Sequence, residues 1–185
     1  MRSPLRAWEV LSSEVVLSRR WIEIRQDRVK LASGHEIDEF HVVHGPSWAA
    51  VLCVTDEGDV VLVRQYRHGI GAESLELPAG VMDAGESPLA AAQRELREET
   101  GYVSDSWTSL GAVATEPSRH TVVAHFFFAG RARLTDGRAL DASEEMETVR
   151  VPASDLVALV DRGEIVHGVH VGAILRAARR GLIPS

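Results

Sequence analysis

Lysine and cysteine are almost missing from this chain of 185 residues. Lys30 is the only lysine, so the basic side chains are otherwise arginine. Cys53 is the only cysteine and lies inside the apolar run AAVLCVT. No disulfide framework can form within one chain, and a reducing, cytoplasmic setting is the simplest expectation. No apolar run approaches the roughly 20 residues needed to span a bilayer. The opening stretch, MRSPLRAWEV, is charged and has no apolar segment of the kind a secretion signal needs. Positive charge is also short, with a formal net charge of -7. That argues against nucleic-acid binding by bulk electrostatics, which needs basic surface to neutralise phosphates. A small phosphorylated substrate stays open, because a metal ion or a few arginines supply positive charge locally.

What is present reads as one domain, or one domain with a small appended subdomain. A hydrophobic fraction of 45% is enough for a real core. Residues 7–44 read as strands: VVLSR, WIEIRQDRVKL and EIDEFHVVH, the last two separated by the turn signal ASGH. AAVLCVT and DVVLVRQY flank Asp56-Glu57-Gly58 and predict a hairpin. VVAHFFFAG and ETVRVP read as further strands, and SDLVALVDRG and VGAILRAARRG as closing helices. Strands outnumber helices, which predicts a mixed sheet covered by helices. The boundary falls near His44-Gly45-Pro46, giving an N-terminal β subdomain over 1–45 and a main domain over 46–185.

Between these elements lies Ser87 to Gly101, with the punctuation of a helix. Ser87 suits the cap, Pro88 the first helical position and Gly101 the residue past the end. Leu89, Ala92 and Leu96 predict its apolar stripe. The same helix carries Glu95, Glu98 and Glu99 on an arc of about 100°. Like charges at i, i+4 repel, and acids in a last turn oppose the helix dipole. Arg94 and Glu98 offset part of this. The ordinary reading of such a run is a solvated face laced with ion pairs. Here the acids keep to one side, and the glycine-bearing loop LPAGVMDAGE leads straight into them. Several carboxylates and a backbone carbonyl together make an oxygen-rich site for a hard divalent cation.

Gly80, five residues, Glu86, seven residues, then Arg94-Glu95-Leu96-Arg97-Glu98-Glu99-Thr100-Gly101-Tyr102 resembles the Nudix box at every fixed position, Tyr102 being the loosest. The resemblance implies a Nudix-type α/β/α sandwich of the α+β class with a mixed sheet. It also implies magnesium, with manganese as an alternative, bound by Glu95 and Glu99 with Glu98 as a further ligand. Glu98 is thereby also a candidate catalytic acid, and the carbonyl of Ala79 is a candidate extra ligand. Gly80, Glu86 and Arg94 take supporting roles, with Arg94 orienting the glutamates by ion pairing.

Outside the box, Gln65-Tyr66-Arg67 followed by Glu76-Leu77-Pro78-Ala79-Gly80 resembles the ADP-ribose and nucleotide-sugar pyrophosphatase branch. In that branch the arginine at Arg67 contacts the substrate, and Glu76 either binds polar substrate groups or orients the loop. The branch also implies a homodimer formed through the N-terminal sheet. With that sheet exchanged across the dimer, Trp21 is a candidate to stack, from the partner chain, on the substrate's base, against the plainer reading of a core tryptophan, and Trp48 is a weaker one. The general base is expected on the loop LDASEEMETV, at Glu144 or Glu145. The chain departs from the branch at Pro117, which is followed by Ser118-Arg119-His120 and no glycine. Arg119 and His120 are therefore candidate substrate binders, and the leaving half of the substrate stays open.

The resemblance thus implies magnesium-dependent hydrolysis of ADP-ribose or a related nucleoside diphosphate sugar to a nucleoside monophosphate and a sugar phosphate. GDP-mannose, NADH, a dinucleoside polyphosphate or capped RNA are alternative substrates, and the acidic chain disfavours long RNA. Isopentenyl diphosphate isomerisation needs a reactive cysteine in a polar pocket, which Cys53 does not fit. A sensor that binds ADP-ribose without cleaving it is the remaining alternative, and such modules usually lose box glutamates that are all present here.

Overall fold

The computed structural model describes residues 6–135, 137–140 and 145–184. The chain divides into two units, one running to Pro46 and including Ala114–Val123, the other formed by Ser47–Val113 and the chain from Ala124 onward. Residues 114–123 therefore group with the N-terminal strands, an association that the order of strands in the sequence does not reveal.

In the first unit, β1 (Glu9–Arg19), β2 (Ile22–Lys30) and β3 (Glu36–His44) form an antiparallel sheet in the order β1-β2-β3. Val29 is buried, and so is Asp27, which accepts from Arg25 Nε at 2.8 Å. Trp8 packs edge-on against Phe40, with centroids 5.6 Å apart. The edge strand β1 is exposed along almost its whole length, including Val10, Val15 and Val16.

The second unit is built on β4 (Trp48–Thr55), β5 (Asp59–Arg67), β10 (Val123–Leu134) and β11 (Met146–Pro152), in the order β11-β5-β4-β10 with β8 (Tyr102–Val103) beyond β10. β4 pairs parallel with β10 and antiparallel with β5, so the sheet is mixed. Alternation along β4 divides the core. Ala49, Val51 and Cys53 face Ala91, Ala92 and Leu96 of helix α1 (Pro88–Thr100). Ala50 and Leu52 face the other way, toward Leu156 of α2 (Leu156–Asp161) and Ile174 and Ala177 of α3 (Gly168–Arg179). Burial on both faces is why AAVLCVT reads as an unbroken apolar run. The helix over 88–100 has the expected ends, with Ser87 accepting from the Ala90 amide and Gly101 closing it in the left-handed region at φ 77°. Its apolar stripe uses Ala91 where the spacing pointed to Leu89, which is exposed. Small alanines let the helix sit close to the sheet.

β4 and β5 pair only at Cys53↔Val61 and Val54↔Val60 and then part. β6 (Ala72–Glu76) continues along β5, ending at Val63↔Glu76. β7 (Ala79–Val81) continues along β4, starting at Ala50↔Ala79. Leu77 and Pro78 cross the gap between them, with the Val51 amide donating to the Pro78 carbonyl at 2.9 Å. This split in the sheet positions the candidate site. β7, β8 and β9 (Ser106–Ala114) carry no pattern strong enough to announce them, being short or rich in serine and glycine.

Candidate functional site

The acidic helix is organised by one arginine. Arg94 donates from Nε and Nη2 to Glu86 at 3.0 and 2.9 Å, and from Nη1 to Glu95 at 2.7 Å and Glu98 at 3.2 Å. Nη2 also donates to the Val81 carbonyl at 2.9 Å, which ties the helix to the end of β7. Its pKa is driven well above the ordinary value, chiefly by the Glu86 hydrogen bond. Glu86 is lowered in return, first by Arg94 and then by the Asp83 amide, which donates at 3.0 Å. Glu95 is 7% exposed and Glu99 is 2% exposed. A solvated face does not look like this, and carboxylates so deeply buried need partners or a cation.

Two backbone positions in the incoming loop complete the arrangement. The Glu95 carboxylate lies over Gly80, where a Cβ would overlap it. The Ala79 amide donates to Glu99 Oε2 at 2.9 Å. The loop after the crossing is thus laid against the glutamates by its own backbone, and only glycine allows that approach at residue 80. Glu95, Glu98 and Glu99 offer hard oxygen donors, and the cradle at Gly80 shows that the fold keeps space for them. This donor set suits a magnesium-type cation.

Beside it, Arg67 at the end of β5 and Glu76 at the end of β6 form a two-pronged pair, Nε–Oε1 at 2.8 Å and Nη2–Oε2 at 2.6 Å. Glu76 is 1% exposed. Burial raises its pKa, but hydrogen bonds from Arg67 and Ser74 outweigh this and hold it down at about 2. Glu76 is therefore an anchor for Arg67. Glu99 also raises the Arg67 pKa through its charge, which links this pair to the box.

Glu76, His167 and His170 each place one ligand-type atom within 4.8 Å of the others. Their geometry does not favour a cation. Both Glu76 oxygens are taken by Arg67, and His170 Nδ1 accepts from the Leu77 amide at 3.3 Å. The two imidazoles are stacked, 4.0 Å apart and 10° from parallel, so their in-plane lone pairs do not converge. Burial pushes the His170 pKa down to about 3, with His167 adding to the effect.

Glu145 borders a cavity of about 400 Å³ with Arg64, Tyr66, Glu73 and Met146. Glu144 lies outside the described residues. Arg138 connects this region to the box, donating to the Glu99 carbonyl at 3.0 Å and the Met146 carbonyl at 2.8 Å. Trp21, Arg119 and His120 belong to the first unit. Trp21 is 63% exposed, which removes the core reading, and Arg20 lies over its ring at 4.5 Å. Pro117 to His120 forms a turn in which Glu116 accepts from the Ser118 hydroxyl and from the His120 amide. Arg119 sits 5.7 Å from the Phe40 ring. Cys53 is fully buried, and burial pushes its thiol up to about 12, which excludes a reactive thiolate.

His167, His170 and Arg138 are absent from the sequence reading. The histidines precede and open an apolar helix and have no charged residue within two positions to mark them, and Arg138 lies in an irregular stretch without periodicity.

Residues 43–169 match the model of the NUDIX domain, and residues 8–43 match that of the nucleoside diphosphate sugar hydrolase N-terminal domain. The chain is 34% identical over 158 residues to an ADP-ribose pyrophosphatase of Bacillus subtilis (strain 168), covering 85% of each. It is 32% identical over 171 residues to an ADP-ribose pyrophosphatase of Mycobacterium tuberculosis (strain H37Rv), covering 91% of this chain and 82% of the other. A solved structure described as an ADP compounds hydrolase shares the fold, with a TM-score of 0.85 at 22% identity over 98% of this chain and 97% of its own. Among the described residues no helix is long and apolar enough to cross a membrane. With the domain match spanning most of the chain and the glutamates gathered on Arg94 over Gly80, this protein belongs to the Nudix hydrolase family.

Proposed function

We propose that the protein hydrolyses the pyrophosphate bond of ADP-ribose or a related nucleoside diphosphate sugar, yielding a nucleoside monophosphate and a sugar phosphate. The observation that carries this reading is the Arg67–Glu76 pair, set one crossing away from Ala79, Gly80 and the box glutamates. Pyrophosphate needs two kinds of positive charge there, a fixed guanidinium and a cation. Glu76 engages Nε and Nη2 of Arg67 and leaves Nη1 for a substrate phosphate oxygen. Glu95, Glu99, Glu98 and the Ala79 carbonyl would hold magnesium, or manganese in its place. When bound, the ion supplies positive charge against the pyrophosphate oxygens and acidifies water.

Arg94 keeps the glutamates converged, and Glu86 keeps Arg94 in place. Glu144, or Glu145 next to it in the chain, takes the proton of the attacking water. The water oxygen bonds to one phosphorus, the bridging oxygen leaves on the other phosphate, and the proton is returned to solvent. Trp21 of a second copy of the chain is the candidate for the base, and Arg119 and His120 are the candidates for a phosphate or the sugar. Glu99→Gln removes one acid of this set and keeps an oxygen acceptor for the Ala79 amide, so it is the matched control.

The first unit supports a second element of the proposal. An edge strand with apolar residues exposed on both faces invites pairing with another chain. A second copy of this chain is the cover we propose, giving a homodimer, in the cytoplasm and without nucleic acid or membrane partners.

The test is product analysis by ion-exchange chromatography, with ADP-ribose, ADP-glucose, GDP-mannose, UDP-glucose, NADH and diadenosine polyphosphates, with magnesium and with Glu99→Gln alongside. Turnover of ADP-ribose or a nucleotide sugar to two monophosphates, lost in Glu99→Gln, is expected. Turnover confined to NADH or dinucleoside polyphosphates would overturn the substrate class. No Glu99-dependent turnover of any of them would overturn the enzymatic reading of the site.

A further inference from the structure

The crossing Leu77–Pro78 joins the two halves of the site: its Pro78 carbonyl accepts from the Val51 amide at 2.9 Å, which ties it to β4, and its one amide needs an acceptor of its own. β6 ends at Glu76 and β7 begins at Ala79, so neither ladder takes up the Leu77 amide. Pro78 has no amide hydrogen to give. The one acceptor offered to this stretch is His170 Nδ1, at 3.3 Å, projecting from the first turn of α3. His170 is 1% exposed. Its ring is fixed by Trp48, Phe126 and the stacked His167, at centroid distances of 5.6, 6.0 and 4.0 Å.

The other ring nitrogen defines the role. With Nδ1 accepting, the neutral ring carries its hydrogen on Nε2, and Nε2 is buried with no hydrogen-bond partner among the described residues. A buried donor left unpaired is unfavourable. An apolar side chain of similar shape would fill the space without that penalty. Packing therefore does not account for a histidine here, whereas the bond to the Leu77 amide does.

The residues on either side of that amide are the ones whose spacing matters. Glu76 precedes it and grips Arg67. Ala79 follows the proline and is bonded through its amide to Glu99. A shift of the crossing would move Arg67 relative to the box glutamates, and misplacement by about 1 Å costs of order a hundredfold in rate.

We infer that His170 is a positioning residue: by accepting the Leu77 amide hydrogen it fixes the crossing that sets Arg67 and Glu76 against Ala79 and the box helix. The functional half of this inference rests on the pyrophosphatase reading above.

Two substitutions in the full-length protein separate positioning from packing. His170→Asn loses the ring but keeps an acceptor close to the Nδ1 position. His170→Phe keeps a ring and loses the acceptor. The readouts are amide hydrogen exchange at Leu77 followed by NMR, and kcat and KM for the substrate that the product panel identifies. The expected order is that His170→Phe exchanges Leu77 about tenfold faster and raises KM about tenfold, while His170→Asn stays within about threefold of the parent in both. If packing were the role, Asn would be the impaired variant and Phe the benign one, and that order overturns the inference. Unchanged Leu77 exchange in a folded His170→Phe protein overturns it too. If His170→Phe does not fold, fast Leu77 exchange in folded His170→Asn overturns it and native exchange supports it. Should the parent turn over none of the panel, the substrate reading fails, and the exchange order still decides whether His170 holds the crossing.

Discussion

The Glu95 carboxylate rests directly on the α-carbon of Gly80, in space that any side chain would occupy. Glycine is required here for closeness, since its φ is not among the positive values found at the turns. A methyl group at residue 80 forces either the Glu95 carboxylate or β7 to move. Metal shells tolerate displacements of only about 0.2 Å. Gly80→Ala is therefore expected to stay folded and to lose about a hundredfold in kcat, together with most of its thermal response to magnesium. Steady-state kinetics and melting curves with and without magnesium check this, and a variant with parental kcat would contradict the cradle.

The burial of Glu95 and Glu99 makes a second expectation quantitative. Like charges held together out of water are unfavourable, and a ligand that binds only the folded state raises its stability. At about a hundred times its dissociation constant a cation adds about 2.7 kcal/mol, which for a chain of this size is a rise of roughly 5 to 10 °C in Tm. Differential scanning fluorimetry at millimolar magnesium should show a rise of that order, cut by more than half in Glu99→Gln. An unchanged melting temperature would remove the metal from the account.

The sequence made the punctuation of α1 legible because caps and helix ends are local chemistry: Ser87, Pro88 and Gly101 act on neighbours within a turn. The box was legible for a related reason, since its spacing is set by one helix and one loop. Three things were not. Leu89 fits the apolar period as well as Ala91 does, and only the sheet beneath decides which is buried. The burial of the glutamates depends on Arg94 and the Gly80 loop folding over them, although local charge alone reads as surface. His170 and Arg138 act on backbone groups far away in the chain, at Leu77 and at Glu99 and Met146, and such contacts leave no period or spacing to read.

Arg94 reaches three carboxylates and the Val81 carbonyl at once, a span that depends on the planar fork of guanidinium. Arg94→Lys keeps the charge and loses that geometry. It is expected to lower stability by about 2 kcal/mol, read by urea unfolding. The Glu95 and Glu98 carboxylates then lose their common partner, so apparent magnesium affinity should fall by about tenfold as well. Equal stability and equal magnesium dependence in the lysine variant would show that charge alone suffices.

Arg138 joins the last turn of α1 to the start of β11. Its partners are two carbonyls, one in Glu99 and one in the residue after Glu145, so it fixes their separation without touching either side chain. Arg138→Ala is expected to lower kcat by about tenfold while Tm falls by only a few degrees, because two hydrogen bonds from a charged group are lost at a partly open site. A matched loss in stability with unchanged kcat would make Arg138 purely structural.

The Arg67–Glu76 pair gives a pH dependence whose sign is fixed. Glu76 has a folded pKa of about 2 against an ordinary value of 4.5. Lowered pKa means that its contribution to stability is complete above 4.5 and is lost as pH falls from there toward 2. In Arg67→Ala the carboxylate stays buried without its cation, so its folded pKa moves up and the sign reverses. The variant is expected to be about 3 kcal/mol less stable than the parent at pH 7. At pH 4 the gap should shrink, because protonation of Glu76 relieves the variant while it begins to weaken the parent. Urea unfolding of both proteins at the two pH values measures the gap, with Glu76→Gln as a reference that should show no such convergence. A gap that holds constant from pH 7 to pH 4 would mean that Arg67 stabilises the fold by packing, and that Glu76 is not the charge it holds.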